Sequence, residues 1–320
     1  MTQSLAVVAD IGGTNTRVAL ADGATLRRET VQRFRNAEHS GIVPILTGYL
    51  AQQGVSVAAA AVDLAGPVKD GIGTLTNLDW RVDRDEIAAA TGAKTVAVIN
   101  DMQAQGHALA HLSGDSLQPV RAGAASTPGA TRLVVNVGTG LNAALVVHTA
   151  AGTVVPASES GHINLPVQDE ADLRLLDFLA RAHGFAGAEE ALSGRGIVNL
   201  YAWLCDDAQE PFPGYTAAQI VAACQHKSDP RAVEAMALFV RLLGRYTGNL
   251  ALIHLPFGGI YFCGGVAAHI APFLEPLGFE AAFLDKGRFS DYMRQFPVQL
   301  VTDDYSALTG SAGHLAELVA

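Results

Sequence analysis

Basic residues are scarce in this sequence. Lys and Arg number 21 against 31 Asp and Glu in 320 residues, a formal net charge of −10. A chain this acidic repels phosphate backbones and anionic lipid surfaces, so no nucleic-acid or membrane partner is expected. Cysteine is scarcer still. Cys205, Cys224 and Cys263 show no CxxC spacing, and their odd number leaves at least one without an intrachain partner. That argues against a disulfide framework and a cysteine-built zinc site. Charged residues make up only 16% against 49% hydrophobic, which excludes intrinsic disorder. No uncharged apolar run reaches the roughly 18 residues of a membrane span. The opening MTQSLAVVADIGG has no basic n-region and meets Asp10 early, so it reads as a first strand, with a reducing cytoplasm as the expected setting. Glycine, by contrast, is abundant: 33 residues with no collagen or low-complexity period. They belong where the backbone must turn sharply or come close to something.

Patterning over the first ~110 residues alternates strands and helices, the mark of a mostly parallel sheet covered by helices. Leu5–Ala9 and Arg17–Ala21 read as strands joined by a glycine turn, and Val57–Leu64 and Thr95–Ile99 as buried strands. Asp83–Ala90 and Met102–Leu112 read as helices. Arg132–Val137, Leu141–His148 and Gly152–Ala157 suggest a meander. Helical patterns follow over Ala171–Ala182, Ile197–Leu204, Ala217–Cys224 and Arg231–His254. A strand over Gly259–Cys263 leads through Gly264-Gly265 into another helix, Pro297–Val301 is a strand, and Ser306–Val319 closes the chain as a helix. The strand–Gly–Thr–strand pattern at Val8–Asn15 recurs at Val135–Asn142. It reads either as two unrelated tight hairpins or as the core of two similar lobes.

Three glycine clusters carry the chemistry. In Asp10-Ile11-Gly12-Gly13-Thr14-Asn15-Thr16-Arg17 the glycines admit an anion to backbone N–H groups and Thr14 adds a hydroxyl. Asp10, at the strand end, is a carboxylate suited to Mg²⁺, directly or through water. No GK[ST] follows and no helix opens here, so this is neither a Walker A nor a dinucleotide loop. Gly138-Thr139-Gly140 offers a second phosphate approach, and Gly264-Gly265 a helix start against which a nucleotide could lie.

DIGGTNTR, Asn100-Asp101, GTGL at Gly138–Leu141, ESGH at Glu159–His162, LSGRGIVNLY at Leu192–Tyr201, CGG at Cys263–Gly265 and AAFLDKGRF at Ala281–Phe289 together resemble bacterial glucokinase. The matches arrive in order over nearly the whole chain. The resemblance implies an α/β, two-lobed actin-like ATPase (ribonuclease H-like) fold with a cleft between lobes. Residues 1–110, completed by the C-terminal helix 302–320, would form the small lobe and 111–301 the large one. It also implies ATP-dependent, Mg²⁺-assisted phosphorylation of the glucose 6-hydroxyl by a homodimer.

By itself Asp101 reads as a helix N-cap; the resemblance makes it the general base. A neutral sugar needs dense hydrogen bonding, which carboxylates and imidazole supply. By resemblance Asn100, Asp101, Glu159, His162 and Glu189 bind glucose, and Asn77 is a weaker candidate on the sugar side. ATP falls to Asp10, Gly12, Gly13, Thr14, Asn15, Gly138, Thr139, Gly140, Gly264 and Gly265, with Asp10 toward the metal. Two positions depart from the family pattern: Ser160 and Asn142 stand where glycine is common. Ser160 is expected to tilt the Glu159–His162 loop, and Asn142 to fill space near a phosphate. A kinase for another hexose, mannose or fructose, or a non-catalytic sugar or nucleotide sensor, are the competing readings.

Overall fold

The computed structural model describes residues 5–75, 78–112 and 114–319. Strand β1 (Leu5–Ile11) turns back into β2 (Asn15–Asp22), followed by the short strands β3 (Thr25–Leu26) and β4 (Gln32–Arg35) and helix α1 (Ile42–Gln53). Then come β5 (Ala59–Leu64), the small strands β6 (Val68–Lys69), β7 (Ile72–Thr74) and β8 (Arg81–Asp83), α2 (Arg84–Thr91), β9 (Thr95–Asn100) and α3 (Asp101–Ala108). The second half holds β10 (Leu117–Arg121), β11 (Arg132–Val137), β12 (Leu141–Thr149), β13 (Gly152–Val154), α4 (Glu170–His183), α5 (Gly194–Asp207), α6 (Ala217–Gln225) and α7 (Pro230–His254). It ends with β14 (Ile260–Cys263), α8 (Gly265–Leu274), α9 (Phe279–Leu284), α10 (Ser290–Met293), β15 (Val298–Val301) and α11 (Ser306–Val319).

The chain divides into two compact units. The first comprises Met1–Ser116, His148–Ala157 and Asp303–Ala320. Its main sheet runs β3-β2-β1-β5-β9, with β4 also on β2; β1, β5 and β9 are parallel and the β1–β2 hairpin is antiparallel. The six residues of β5 are all buried, as strands covered on both faces require. Helix α1 lies in a stretch, 22–56, to which sequence patterning assigns nothing, because Pro44 and Gly48 interrupt its apolar spacing. Burial settles it: Ile42, Ile45, Leu46 and Tyr49 join the cluster built by Val7, Val18, Val62 and Ile87. Gly54 caps the helix at φ 66°, a left-handed conformation that costs glycine little. The expected helix over Met102–Leu112 starts one residue earlier and ends at Ala108.

Helix α11 seals the other face of this sheet. Leu308, Ala312 and Leu315 pack on Ala6, Val8, Ala61 and Ala97. α11 also runs against α3, and there is no room between them at Gly310: a Cβ there would stand 1.7 Å from the carbonyl oxygen of Ala104.

The second unit comprises Leu117–Val147 and Ser158–Thr302. Its sheet contains the order β10-β15-β14-β11-β12, with β11, β14 and β15 parallel and the β11–β12 hairpin antiparallel. The order β12-β11-β14-β15 therefore repeats β2-β1-β5-β9, an antiparallel hairpin followed by two parallel strands. The two glycine hairpins are equivalent parts of a duplicated topology, not chance look-alikes. Helices α4 to α9 bury the larger core around Phe239, Leu243, Tyr246, Phe279 and Phe283. Asp172, sealed from solvent, ties α4 to α7 through Arg241 and Arg245. Among the described residues no helix is long and apolar enough to cross a membrane.

Gly310→Ala should force α11 away from α3. Overpacking of this kind costs about 1–3 kcal/mol, and the clash here is with backbone, which puts the cost at the upper end. Urea denaturation of the variant against the parent chain measures it; equal midpoints would show that the helices are not in contact at that point.

Candidate active site

In the first unit the candidate groups collect at the carboxyl ends of the parallel strands, where open α/β sheets place their ligands. β1 ends in Asp10-Ile11, β5 in Asp63-Leu64 and β9 in Asn100, with Asp101 opening α3. Asn100 is the N-cap of α3. Its Oδ1 accepts from Met102 N–H at 2.8 Å, Gln103 returns a bond to the Asn100 N–H at 3.1 Å, and its amide donates to the Gly66 carbonyl at 3.0 Å. This capping box fixes the chain direction on entry to the helix. Asp101 Oδ1 also accepts from Met102 N–H, at 2.9 Å. Asp101 is half-buried, so its carboxylate is sterically positioned and still reachable.

The Gly12–Asn15 turn is closed by a Gly12 N–H to Asn15 O bond of 3.0 Å, leaving Gly13 and Thr14 exposed. A residue outside the motif holds it. Asn36, 2% exposed, donates to Gly12 O at 2.8 Å, accepts from the Thr16 hydroxyl at 2.8 Å and donates its own N–H to Thr14 O at 3.0 Å. Nothing in the sequence pattern marks Asn36, since it comes from the second residue run across the sheet.

Asp63 is the other group missed. In the parallel register it stands beside Asp10, it is fully buried, and it accepts from the Ser311 hydroxyl at 2.7 Å. Burial, and then the neighbouring Asp10 charge, pushes its carboxyl well above the usual range. The two carboxyls stand side by side in register, so charging both at once is disfavoured by repulsion as well as by burial. Burial also raises Asp10, opposed mainly by Arg17, whose guanidinium lies 3.5 Å away. Asp10 is thus the carboxylate of the pair that has a cationic neighbour, with Asp63 beside it in register. An isolated acid in the apolar run AAAVDL was the available signal.

In the second unit one residue, Leu141, organises the polar groups. Its N–H donates to Glu189 Oε2 at 2.9 Å. Its carbonyl lies against Gly161, where any Cβ would come within 1.8 Å. The Glu159–His162 turn and the turn carrying Glu189 are joined further by Ala188 N–H to Ile163 O, 2.9 Å, and a bridge between Asn164 and Gly187. Glu159, His162 and Glu189 therefore sit on adjoining turns, with Glu159 and His162 exposed. Glu189 also takes Arg195 at 3.1 Å, an arginine that the neighbouring Glu190 shares.

Asn142 does not fill space near a phosphate, contrary to expectation. Its Oδ1 accepts from Ser160 N–H at 3.0 Å and the Ser160 hydroxyl at 3.3 Å, and its amide donates to Ser158 O at 2.6 Å. Tyr246 OH reaches Ser160 Oγ at 2.9 Å. The side chain on β12 points to the Glu159–His162 turn, so Asn142 and Ser160 brace that turn together.

The remaining glycine turns, 138–140 and 264–265, lie at the carboxyl ends of β11 and β14. The 138–140 turn is pinned to the start of α5 by Gly194 N–H to Gly138 O, 2.9 Å, and Thr139 is exposed. Gly264, at φ 96°, packs its α-carbon beside Asn136 and the Val137 carbonyl, and Gly265 opens α8 onto free space. That leaves exposed backbone N–H groups at a helix start, which suits an anion. Asn77 lies outside the described residues.

A model of the glucokinase family matches residues 7–318. The chain belongs to the glucokinase family. The glucokinase of Pectobacterium atrosepticum is 32% identical over 314 residues, covering 98% of this chain and 97% of its own. A solved glucokinase from an Antarctic psychrotroph is 31% identical with a TM-score of 0.86 and covers 98% of both chains. A ROK family glucokinase from Streptomyces griseus, solved with glucose and AMPPNP, shares the fold at a TM-score of 0.66 and 18% identity, over 97% of this chain and 99% of its own. Glucokinases are sugar phosphotransferases, and the chain is an enzyme of that class.

Asp63 supplies a pH test. Unfolded, it ionises near its ordinary 3.8; folded, it holds its proton to higher pH. The stability this proton provides is complete below 3.8 and is lost as pH rises through the raised value. Asp63→Asn removes the effect, so the variant should gain on the parent chain as pH rises above about 4. Denaturant titrations across pH measure the difference, and a difference that does not change with pH would show Asp63 ionised in the folded chain.

Proposed function

We propose that the chain phosphorylates D-glucose at its 6-hydroxyl with ATP as donor, and that Asp101 is the general base. The observation that carries this is the placement of Asp101 at the carboxyl edge of β1, β5 and β9, fixed by the Asn100 capping box, in a member of the glucokinase family. Asp101 takes the 6-hydroxyl proton as O6 forms its bond to the γ-phosphorus, and the bond from that phosphorus to the ADP oxygen breaks. Products are glucose 6-phosphate, ADP and a proton. Little covalent chemistry is asked of the protein beyond positioning and charge.

Asn100, Asp101, Glu159, His162 and Glu189 are proposed as the sugar ligands, and Asn77 as a further one. Glu159 and His162 are free to present an acceptor and a ring nitrogen to sugar hydroxyls. Glu189 acts from its bond to Leu141, which holds one carboxylate oxygen in place. Phosphate is assigned to the turn at Gly12, Gly13, Thr14 and Asn15, to Gly138, Thr139 and Gly140, and to Gly264 and Gly265. These are backbone donors, which is how a chain of net charge −10 handles ATP.

The donor set fits Mg²⁺: one partly exposed, ionised carboxylate, Asp10, beside exposed phosphate-type turns, with water and phosphate oxygens for the remaining positions. When bound, Mg²⁺ neutralises charge on the phosphates. Asp63, beside Asp10 in register and held by Ser311, would back the carboxylate there. The small lobe of 1–110 with 302–320, the large lobe of 111–301, the actin-like arrangement with an intervening cleft, the homodimer and the cytoplasmic setting complete the proposal. The two compact units and their duplicated sheet order support the lobe assignment. No nucleic-acid or membrane partner enters it.

A coupled assay with ATP, Mg²⁺ and a panel of hexoses should show glucose turned over most efficiently. Turnover of mannose or fructose alone would move the assignment to another hexose, and binding without turnover would mark a sensor. Asp101→Ala should lower kcat by about 10²–10⁴-fold while glucose binding persists, because a general base acts in the chemical step. Near-parent kcat in that variant removes Asp101 from the role.

A further inference from the structure

Behind the carboxyl edge, on the far side of α3, lies a cluster that the phosphotransfer chemistry does not use. His107 of α3 faces His314 of α11, with ring centroids 4.3 Å apart and planes at 42°. Glu317 is one turn further along α11, so its side chain and that of His314 share a helix face. One ring nitrogen from each histidine and a Glu317 oxygen all lie within 4.8 Å of one another. We propose that His107, His314 and Glu317 form a binding site for a divalent cation of the zinc class, joining α3 to α11.

Several independent features fit a ligand rather than packing alone. His107 is 5% exposed, and stacking two imidazoles in a core forgoes hydrogen bonds that each ring nitrogen needs. His314 Nδ1 is sealed from solvent and has no hydrogen-bond partner. A metal would supply that partner and use the lone pair. Glu317 is exposed, yet its carboxylate is held: Oε2 accepts from the Thr153 N–H at 3.1 Å. A ligating carboxylate fixed by an outer hydrogen bond is the usual second layer of a metal site. Gly313 lets a third imidazole approach, since a Cβ there would stand 2.4 Å from His111 Nε2.

The donor set decides the class. Two imidazoles and one carboxylate, with a fourth position for water, suit Zn²⁺ and its borderline neighbours Co²⁺ and Ni²⁺. Mg²⁺ wants hard oxygen ligands in octahedral array and is a poor match. The site is thus chemically separate from the Asp10 position. Its ligands come from the two helices that meet at Gly310, and α3 begins with Asp101. A bound ion would clamp the helix that carries Asp101 and stabilise the folded chain by mass action.

The test uses the full chain, stripped with chelator and then dialysed into buffer with excess Mg²⁺. Zn²⁺ is titrated calorimetrically, and thermal denaturation is followed with and without it. Co²⁺ serves as a spectroscopic probe of nitrogen and oxygen coordination. One saturable equivalent of Zn²⁺ and a raised melting temperature are expected. Glu317→Gln, at an exposed position that leaves the helix contact intact, should weaken Zn²⁺ by at least about tenfold and abolish the melting shift. His314→Gln should remove binding altogether. Equal Zn²⁺ affinity in the parent chain and Glu317→Gln, or no saturable Zn²⁺ binding by the folded parent chain, would overturn the proposal.

Discussion

The seating of α11 on α3 is the constraint on which the first unit depends. Helix α11 returns from the end of the chain to cover a sheet made by the first hundred residues. Contact at Gly310 and Ala104 brings the two backbones as near as helices can come. That approach lets Ser311 reach Asp63, and Asp63 stands beside Asp10. The same helix carries Leu308 and Ala312 into the apolar layer beneath β1 and β5. One interface therefore sets the position of the Asp101 helix, backs the Asp10–Asp63 pair and closes the core.

The second unit reaches a similar end by different means. Leu141 bonds with Glu189 through its N–H and accommodates Gly161 at its carbonyl. The returning strand of the second glycine hairpin, β12, thus also sets the two acidic turns. Asn142, the next residue, braces the Glu159–His162 turn through Ser160. Asn142 and Ser160 are in this way one feature, a hydrogen-bonded pair that holds the turn.

Much of this was legible in sequence. Strands β1, β5, β9 and β11 announced themselves because buried parallel strands are continuous apolar runs. The glycine hairpins were readable because the strand–Gly–Thr–strand pattern occurs twice, and the ordered motifs carried the family. What was not legible depends on residues far apart in sequence. Asn36 holds the Gly12–Asn15 turn from the short turn that follows β4. Asp63 acquires meaning only when register puts it beside Asp10 and the fold brings Ser311. Helix α1 hides behind Pro44 and Gly48 and is fixed by what Tyr49 and Leu46 bury. Motifs identify the groups that act; the groups that position them come from packing.

The central claim is that Asp101 removes the proton from the glucose 6-hydroxyl. A crystal structure of the chain with glucose and a non-hydrolysable ATP analogue tests it most directly. The account predicts glucose O6 within hydrogen-bond distance of the Asp101 carboxylate and facing the γ-phosphate, with Glu159, His162 and Glu189 on the remaining hydroxyls. A bound sugar whose O6 meets a different side chain, with Asp101 left as a helix cap only, would contradict it.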